Sequence, residues 1–586
     1  MPHMTTSPWV PAFLLDDLPV GGARVFSREE RRIAVFRTEE RRAFAIDNRC
    51  PHEGYPLARG YVKDCVVTCI WHNFKFDLRD GRCVMGDEHV RSYPLRIVDG
   101  RVELDLTDPD PTLELASRYA SLERGLCERK LGQVARDLVR LLQLGESPAR
   151  LALVAARFDA AYAEYGTTHA LPVAVDTLGM MDRYPGVEAV LPLLQAFDLA
   201  SESHQRLPRR AVPEPVDPGA DVVVAGERIF AAVEAEDARA AEALLRGALV
   251  RRGWGRAEIE PWFDRMCAAH FLDFGHALIY HAKVFALLEQ VGWSHAAELL
   301  PAYLFRIING TREELVPAWR WLCDRLAENE GRFPVWVSWN RDAPRDPAAA
   351  AELLAALRDG SREQIVEALV AALEAGAGLA NIGDALVLAG AERLLRFDAA
   401  HDADPTVQEG WLDVTHRLTF AHAVGQALAR SSAPGVLRLV FFAAHFIHVA
   451  AGVDLPKGRR AAWPSGGAAS VENVLAAIDR RDAGTAVARA AGYLQSGQSP
   501  DALRVALEDR ALRDPATRPI FVAHIIKTGV VAFAARADLG EHPDRDVPVL
   551  AYVRYAATPA HERTVARVAH EAIGFVVHGK VPRTLT

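Results

Sequence analysis

Two short segments constrain this chain more than anything else in its 586 residues: Cys50-Pro-His52 and, sixteen residues further on, Cys69-Ile-Trp-His72. Each offers one thiolate and one imidazole. Two such mixed pairs hold a [2Fe–2S] cluster when both sulfurs bind one iron and both imidazoles bind the other. The same side chains also suit tetrahedral zinc, but a zinc finger pairs Cys with Cys and His with His locally. Each segment here mixes them. The expected chemistry is one-electron transfer, with Cys50, His52, Cys69 and His72 as ligands.

The residues around these segments read as short strands and turns. RIAVF, AFAI, CVVTCI, KFDLRDGR and LRIVDGRVELDL are strand-like, and Asp80-Gly81 and Asp99-Gly100 are hairpin signals. The stretch TDPDPT (107–112) has linker composition, since its prolines cannot continue a regular element. From residue 113 the pattern changes to Ala/Leu/Arg-rich segments with apolar residues three and four apart, as in EPWFDRMCAAHFLDFGHALIYHAKVFALLEQVG. The expected architecture is therefore multidomain: a small all-β domain over 1–106, a linker over 107–112 and a large, mainly α-helical domain over 113–586. Pro-rich stretches at 207–219 and 341–347, and the basic, Gly-rich stretch at 455–467, read as long loops, because helical periodicity resumes after each.

Composition narrows the partners. With 68 Lys+Arg against 77 Asp+Glu the formal charge is -9, which lacks the basic footprint of a nucleic-acid binder. Seven cysteines are too few for a disulfide scaffold, and two sit in metal-binding spacing, so a reducing, cytoplasmic setting is expected. MPHMTTSPW lacks the order of a signal peptide, and no run reads as approaching the roughly 18–20 apolar residues of a membrane span, so no membrane association is expected.

Residues 8–106, through CPHEGYPLARG and CIWHNFKFDLRDGRC, resemble the small ferredoxins and N-terminal Rieske domains of aromatic-ring dioxygenase systems. The high-potential Rieske proteins carry an extra Cys in each cluster loop. This chain has Glu53, Gly54 and Tyr55 after His52 and Asn73 after His72. The resemblance therefore implies a low-potential cluster, toward the negative end of about -150 to +300 mV. Cys65 and Cys83 fall outside the motif and read as core, and Trp71 as a shield of the cluster.

The helical part poses the harder question. Of 20 His, all but His3, His52, His72 and His89 lie beyond residue 112, several in apolar helical stretches where an unpaired imidazole is costly. One local pattern, Asp273-x-x-His276-x-x-x-x-His281, has the spacing by which Rieske oxygenases supply part of a two-His-one-carboxylate iron site. Against it, the surroundings are helical where the Rieske oxygenase domain is mixed α/β, and the two histidines lie about 140° apart on an ideal helix.

A broader resemblance covers most of residues 130–540. YGTTHALPVAVDTLG, FGHALIYHAKVFALLE, THRLTFAHAVGQALAR and FVAHIIKTGVVAF resemble, in order, four His-bearing segments of the questin oxidase-like family, helical oxygenases that open rings of anthraquinone-type polyketides. That resemblance implies a non-haem metal, iron foremost, held by histidines from separate helices together with a lysine that can be carboxylated. The corresponding positions are His169, His276, His416, His422 and His524, with Lys527; the choice between His416 and His422 stays open. The residues agree: Lys527 lies one turn after His524 in an apolar stretch, and a buried lysine is pushed toward the neutral amine that reacts with CO₂. The alternative is an amphipathic lysine reaching solvent.

The expected function is a Rieske-coupled oxygenase that uses O₂ on an aromatic or polyketide substrate. No Gly-x-Gly-x-x-Gly follows a strand, so an external NAD(P)H-dependent reductase is expected to supply electrons. A homo-oligomer is compatible with this, since Rieske systems commonly pass electrons between subunits. The alternatives are an electron carrier with a non-catalytic helical docking module, and a Rieske oxygenase variant using Asp273, His276 and His281.

Overall fold

The computed structural model describes residues 8–86, 88–403, 410–457, 467, 469–513, 519–557 and 565–579. Its contacts separate two compact units. The first takes the described parts of Met1–Ser147, Tyr184–Val190 and Arg567–Thr586, the second those of Pro148–Arg183 and Leu191–Ala566.

The first unit is built on eleven strands: β1 (Trp9–Leu14), β2 (Ala23–Arg28), β3 (Arg31–Glu39), β4 (Arg42–Asp47), β5 (Tyr61–Lys63), β6 (Val66–Thr68), β7 (Lys75–Asp77), β8 (Cys83–Met85), β9 (Ser92–Tyr93), β10 (Leu95–Val98) and β11 (Arg101–Asp105). They form three sheets in the orders β1-β11-β10, β2-β3-β4-β9 and β5-β6-β7-β8. The alternation along β3 shows how the sheets share the interior. Ala34 and Phe36 point into a core with Ile46, Leu57, Val67, Phe76 and both Cys50 and Cys69. Ile33 and Val35 point the other way, onto Phe13, Leu18, Val102 and Leu104. A strand buried on both faces reads as continuously apolar, which is why RIAVF stands out. Asp99 and Gly100 both take positive φ, 49° and 72°, as a two-residue hairpin turn of matching twist requires.

The expected boundary at 107–112 and the compact unit do not coincide, because that unit continues through Ser147. Pro111 opens the helix Pro111–Cys127, where the missing N–H costs nothing, and the Asp110 carboxylate caps it by accepting the Thr112 N–H at 2.7 Å. The next helix, Leu131–Gln143, is tied to the strand-bearing part by a buried carboxylate. Glu88 accepts from Arg136 and Arg140, each at 2.8 Å. Burial pushes the Glu88 carboxyl up, but the two guanidinium groups outweigh it and hold it below the ordinary value.

The second unit is helical. Two of its helical stretches, Pro434–Val453 and Pro519–Asp538, are long and apolar enough to cross a membrane by length and composition, with mean hydropathies of 1.8 and 1.6. This corrects the expectation that no run approaches the length of a membrane span. About two thirds of each stretch is buried inside the unit, the pattern of a helix that is core on nearly every side. The stretches 207–219 and 341–347 are largely irregular, as expected, and most of 455–467 lies outside the described residues.

Candidate metal centres

The two cluster loops of the first unit are built alike. Cys50 N–H donates to Tyr55 O and Gly54 N–H returns to Cys50 O; Cys69 N–H donates to Phe74 O and Asn73 N–H returns to Cys69 O. Each loop therefore folds back over its own cysteine, and each turns through positive φ four residues after it, at Gly54 (79°) and Asn73 (61°). Gly54 is required twice over, since a Cβ there would stand 2.7 Å from the Phe575 ring.

These loops pair the sequence-predicted ligands by type, thiol with thiol and imidazole with imidazole, with Glu53 grouped beside the two histidines. Cys50 and Cys69 are 2% and 1% exposed, and their thiols share a hydrogen bond that holds Cys69 down to about 6 and pushes Cys50 up. His52 Nδ1 and His72 Nδ1 stand 3.2 Å apart, with the rings perpendicular. Phe74 stacks on His52 at 4.7 Å, and Trp71 packs against Tyr55 at 4.8 Å. A convergent thiol pair beside a convergent Nδ1 pair is the donor set of the mixed-ligand two-iron cluster. All seven cysteines are free, so no disulfide flanks the loops. Cys83 packs on this core, whereas Cys65 sits half-buried at positive φ. Cys69→Ala is expected to abolish the reduced cluster's EPR signal of average g below 2; a colourless wild-type protein with stoichiometric zinc would overturn the assignment.

A second convergence lies in the helical unit. His169, His276, His416 and His524 bring ligand nitrogens within 4.8 Å of one another, from four segments spread over 355 residues of chain (524 - 169). A metal with N bonds of about 2.1 Å spaces its ligands roughly 3–4 Å apart, so modest contraction closes this set. Backbone carbonyls fix two of the rings. His276 Nδ1 donates to Asp273 O at 2.6 Å, and His524 Nδ1 donates to Ile520 O at 2.7 Å. Their Nε2 atoms are thereby acceptors, yet both face His416 Nε2, at 2.9 and 3.3 Å. If His416 Nε2 carries a hydrogen it meets two acceptors with one donor, and if it does not, three lone pairs face one another, an arrangement that a shared cation would relieve.

Protonation points the same way. Burial, then the charge of Lys527, lowers His169, His276 and His524 well below the ordinary histidine value; burial and the neighbouring imidazoles do the same to His416. Neutral imidazole is the metal-binding form. His169 Nε2 and Lys527 Nζ are buried with no hydrogen-bond partner, the orphaned atoms that an ion would satisfy. Burial also lowers the Lys527 amine to about 7.

The local sequence explains how the rings are aimed. In YGTTHA, buried Asp159 accepts from the Thr168 N–H, the Thr168 hydroxyl and the Thr167 hydroxyl at 2.6–2.8 Å, which pins the turn before His169. Asp273, Phe274 and Gly275 all take positive φ, at 47°, 56° and 87°, and swing the helix His276–Val291 into place. Asp273 is therefore a positioning residue: its carboxylate accepts the Thr311 N–H and pairs with Arg306, each at 2.8 Å. The triad Asp273/His276/His281 is not assembled. His281 turns to Asp264 (3.4 Å) and Arg430 (3.3 Å), as its 140° offset from His276 requires.

His422 also stands apart from the cluster. Its Nε2 donates to Asp538 Oδ2 at 3.0 Å. It lies six positions after His416, about 120° away around the helix Trp411–Arg430, so one ring excludes the other. His445 packs on Trp319 at 4.6 Å and joins no donor set among the described residues. Of the aromatics, Phe271 is core, in contact with Trp319, Phe420, Phe442 and Phe446. Tyr280 differs, since its buried hydroxyl has no partner and its ring lies 5.4 Å from His276 and 5.9 Å from His169. Sequence reasoning missed the buried ion pair between Lys283 and Asp176 (2.5 Å), whose carboxylate acts electrostatically on Lys527. The available signal was spacing, because Asp176 lies two turns after His169 on the same helical face.

The first unit defines a ferredoxin-type Rieske iron–sulfur protein. Residues 8–94 match the Rieske [2Fe-2S] domain, and through this segment the chain belongs to that family. It is 35% identical over 108 residues to the anthranilate 1,2-dioxygenase ferredoxin subunit of Burkholderia cepacia, covering 18% of this chain and 99% of that protein. The 3-phenylpropionate/cinnamic acid dioxygenase ferredoxin subunit of Photorhabdus laumondii subsp. laumondii is 31% identical over 97 residues, 16% of this chain and 90% of its own length. Cholesterol 7-desaturase nvd of Hemicentrotus pulcherrimus is 34% identical over 85 residues, 14% of this chain and 18% of that enzyme.

Proposed function

We propose that the chain is a cytoplasmic Rieske-coupled oxygenase, in which a [2Fe–2S] cluster held by Cys50, His52, Cys69 and His72 supplies electrons to a non-haem metal centre in a questin oxidase-like helical domain. The observation that carries this reading is the convergence of four neutral imidazoles, His169, His276, His416 and His524, beside the unpartnered amine of Lys527. Imidazole donors suit iron, and helices packed side by side project ligands inward from segments far apart in sequence. When bound, a non-haem iron supplies the O₂ chemistry and the cluster supplies single electrons.

The chain's own residues set geometry and access. Asp159 and the Asp273 and Ile520 carbonyls orient three rings, burial excludes bulk water, and the neutral Lys527 amine is the form that CO₂ converts to an anionic carbamate ligand. The unpartnered Tyr280 hydroxyl, on a ring next to His169 and His276, would donate to a group bound there. We assign an aromatic, anthraquinone-like polyketide as the substrate class, following the resemblance of the four His-bearing segments. An NAD(P)H-dependent reductase is the electron source, as befits a Rieske unit whose full-length relatives are ferredoxin subunits of dioxygenase systems.

Metal analysis with EPR tests the reading. The oxygenase is expected to hold at least three irons per chain, two of them in the cluster, and to consume O₂ when reduced with substrate present. Two irons per chain and a metal-free helical unit would instead establish an electron carrier with a docking module.

A further inference from the structure

His422 leaves the metal cluster only to line a second cavity. A cleft of about 580 Å³ opens within the helical unit between the helices Leu379–Arg396 and Trp411–Arg430 and the end of Pro519–Asp538, a size that holds a two- or three-ring organic molecule. Leu379, Val387, Leu428 and Leu539 supply apolar wall. The two helices approach closely at paired glycines: a Cβ on Gly383 would stand 3.4 Å from Gly425 Cα, whereas one on Gly425 would enter open space.

The polar groups of this cleft are specific. His422 Nε2 donates to Asp538, which in the neutral imidazole leaves Nδ1 as the acceptor, and Nδ1 bonds to none of the described residues. Gln426 lies one turn further along the same face and also lines the cleft. The cations are already engaged. Arg345 donates to Asp384 Oδ2 (2.9 Å) and to Asp538 O (2.6 Å), and Arg341 donates to Ser431 O. Burial also lifts the Asp384 carboxyl to about 6. Arg345 is paired with Asp384, and the unpartnered Arg341 Nε is buried, whereas the His422 imidazole and the Asp342 carboxylate line the cleft as acceptors, which favours a neutral donor over an anion.

We infer that this cleft is a binding site, separate from the metal centre, for a small hydroxylated aromatic of the phenol class, whose O–H donates to His422 Nδ1 while its ring lies on the leucine wall. Asp538 is a positioning residue that fixes the imidazole tautomer. The inference stands independently of the proposed oxygenase function, since it needs neither metal nor turnover.

The test uses the full-length protein with 2-naphthol, whose fluorescence separates neutral from deprotonated emission, and with 2-methoxynaphthalene, which lacks the O–H. Saturable 2-naphthol binding is expected, about 10-fold tighter than that of 2-methoxynaphthalene. His422→Gln is expected to remove that preference while leaving 2-methoxynaphthalene binding and iron content unchanged. Gly425→Leu, whose side chain grows into the cleft, is expected to weaken both ligands at least 10-fold. The inference is overturned if 2-naphthol fails to bind, if both variants bind it as the wild type does, or if His422→Gln loses the non-cluster metal.

Discussion

His416→Ala is expected to release the metal of the helical unit, and His422→Ala to keep it, although the two residues share one helix and one stretch of sequence. His416 Nε2 is the hub of the cluster, 2.9 Å from His276 Nε2 and 3.3 Å from His524 Nε2, so its removal leaves no donor between them. Outer partners of metal ligands are worth about 10–100-fold in metal affinity, and a central ligand is worth more. We expect a loss on the order of 100-fold or greater, read as iron falling from three to two per chain after dialysis against a chelator. The Rieske spectrum is expected to survive, because its four ligands all lie in the other compact unit. His276→Ala and His524→Ala are expected to behave as His416→Ala does. Metal lost with His422→Ala but retained with His416→Ala would reverse the assignment.

The difference between those two histidines marks where sequence stops being informative. The cluster ligands were legible because the information is local: each loop carries its own Cys and His, and the strands beside them are short, alternating and bounded by Asp-Gly turns. On the helix Trp411–Arg430 nearly every residue from Val414 to Val424 is buried, so no polar face remains to give the pattern a direction. Either histidine looks equally enclosed. Only packing against the helices His276–Val291 and Pro519–Asp538 chooses between faces about 120° apart, and those contacts span more than a hundred residues of chain. The alternative built on Asp273 and His281 shows the complementary limit. Their spacing matches a known ligand pattern, but Asp273 begins the turn rather than the helix, and its carboxylate serves Thr311 and Arg306. The compact unit runs past the expected linker to Ser147, and the pairing of Glu88 with Arg136 and Arg140 that ties it together is a long-range contact with no local signature.

Lys527 is expected to weaken the protein and to equip the site at once, so Lys527→Met should move stability and metal binding in opposite directions. Burial lowers the amine from its ordinary 10.5 to about 7. Between those values the unfolded chain holds a proton that the native chain has lost. Native stability therefore falls as pH drops from about 10.5 to 7 and stays at its reduced level below that. At pH 8 the penalty is on the order of 3 kcal/mol, taking 1.36 kcal/mol per unit over about 2.5 units. In metal-free, CO₂-free buffer, Lys527→Met is expected to recover much of it, and to flatten the rise of stability between pH 7 and 10, as read by denaturant unfolding. The same variant loses the amine that lies beside the four imidazoles. It is expected to bind the non-cluster metal more weakly, and metal retention that rises with added bicarbonate in the wild type should become indifferent to it. A variant that keeps its metal, its bicarbonate response and its pH slope would mean that the lysine reaches solvent and serves neither purpose. The two readouts are separable because the stability term belongs to the amine alone, whereas the metal term requires the carbamate oxygen to meet the ion that His169, His276, His416 and His524 converge upon.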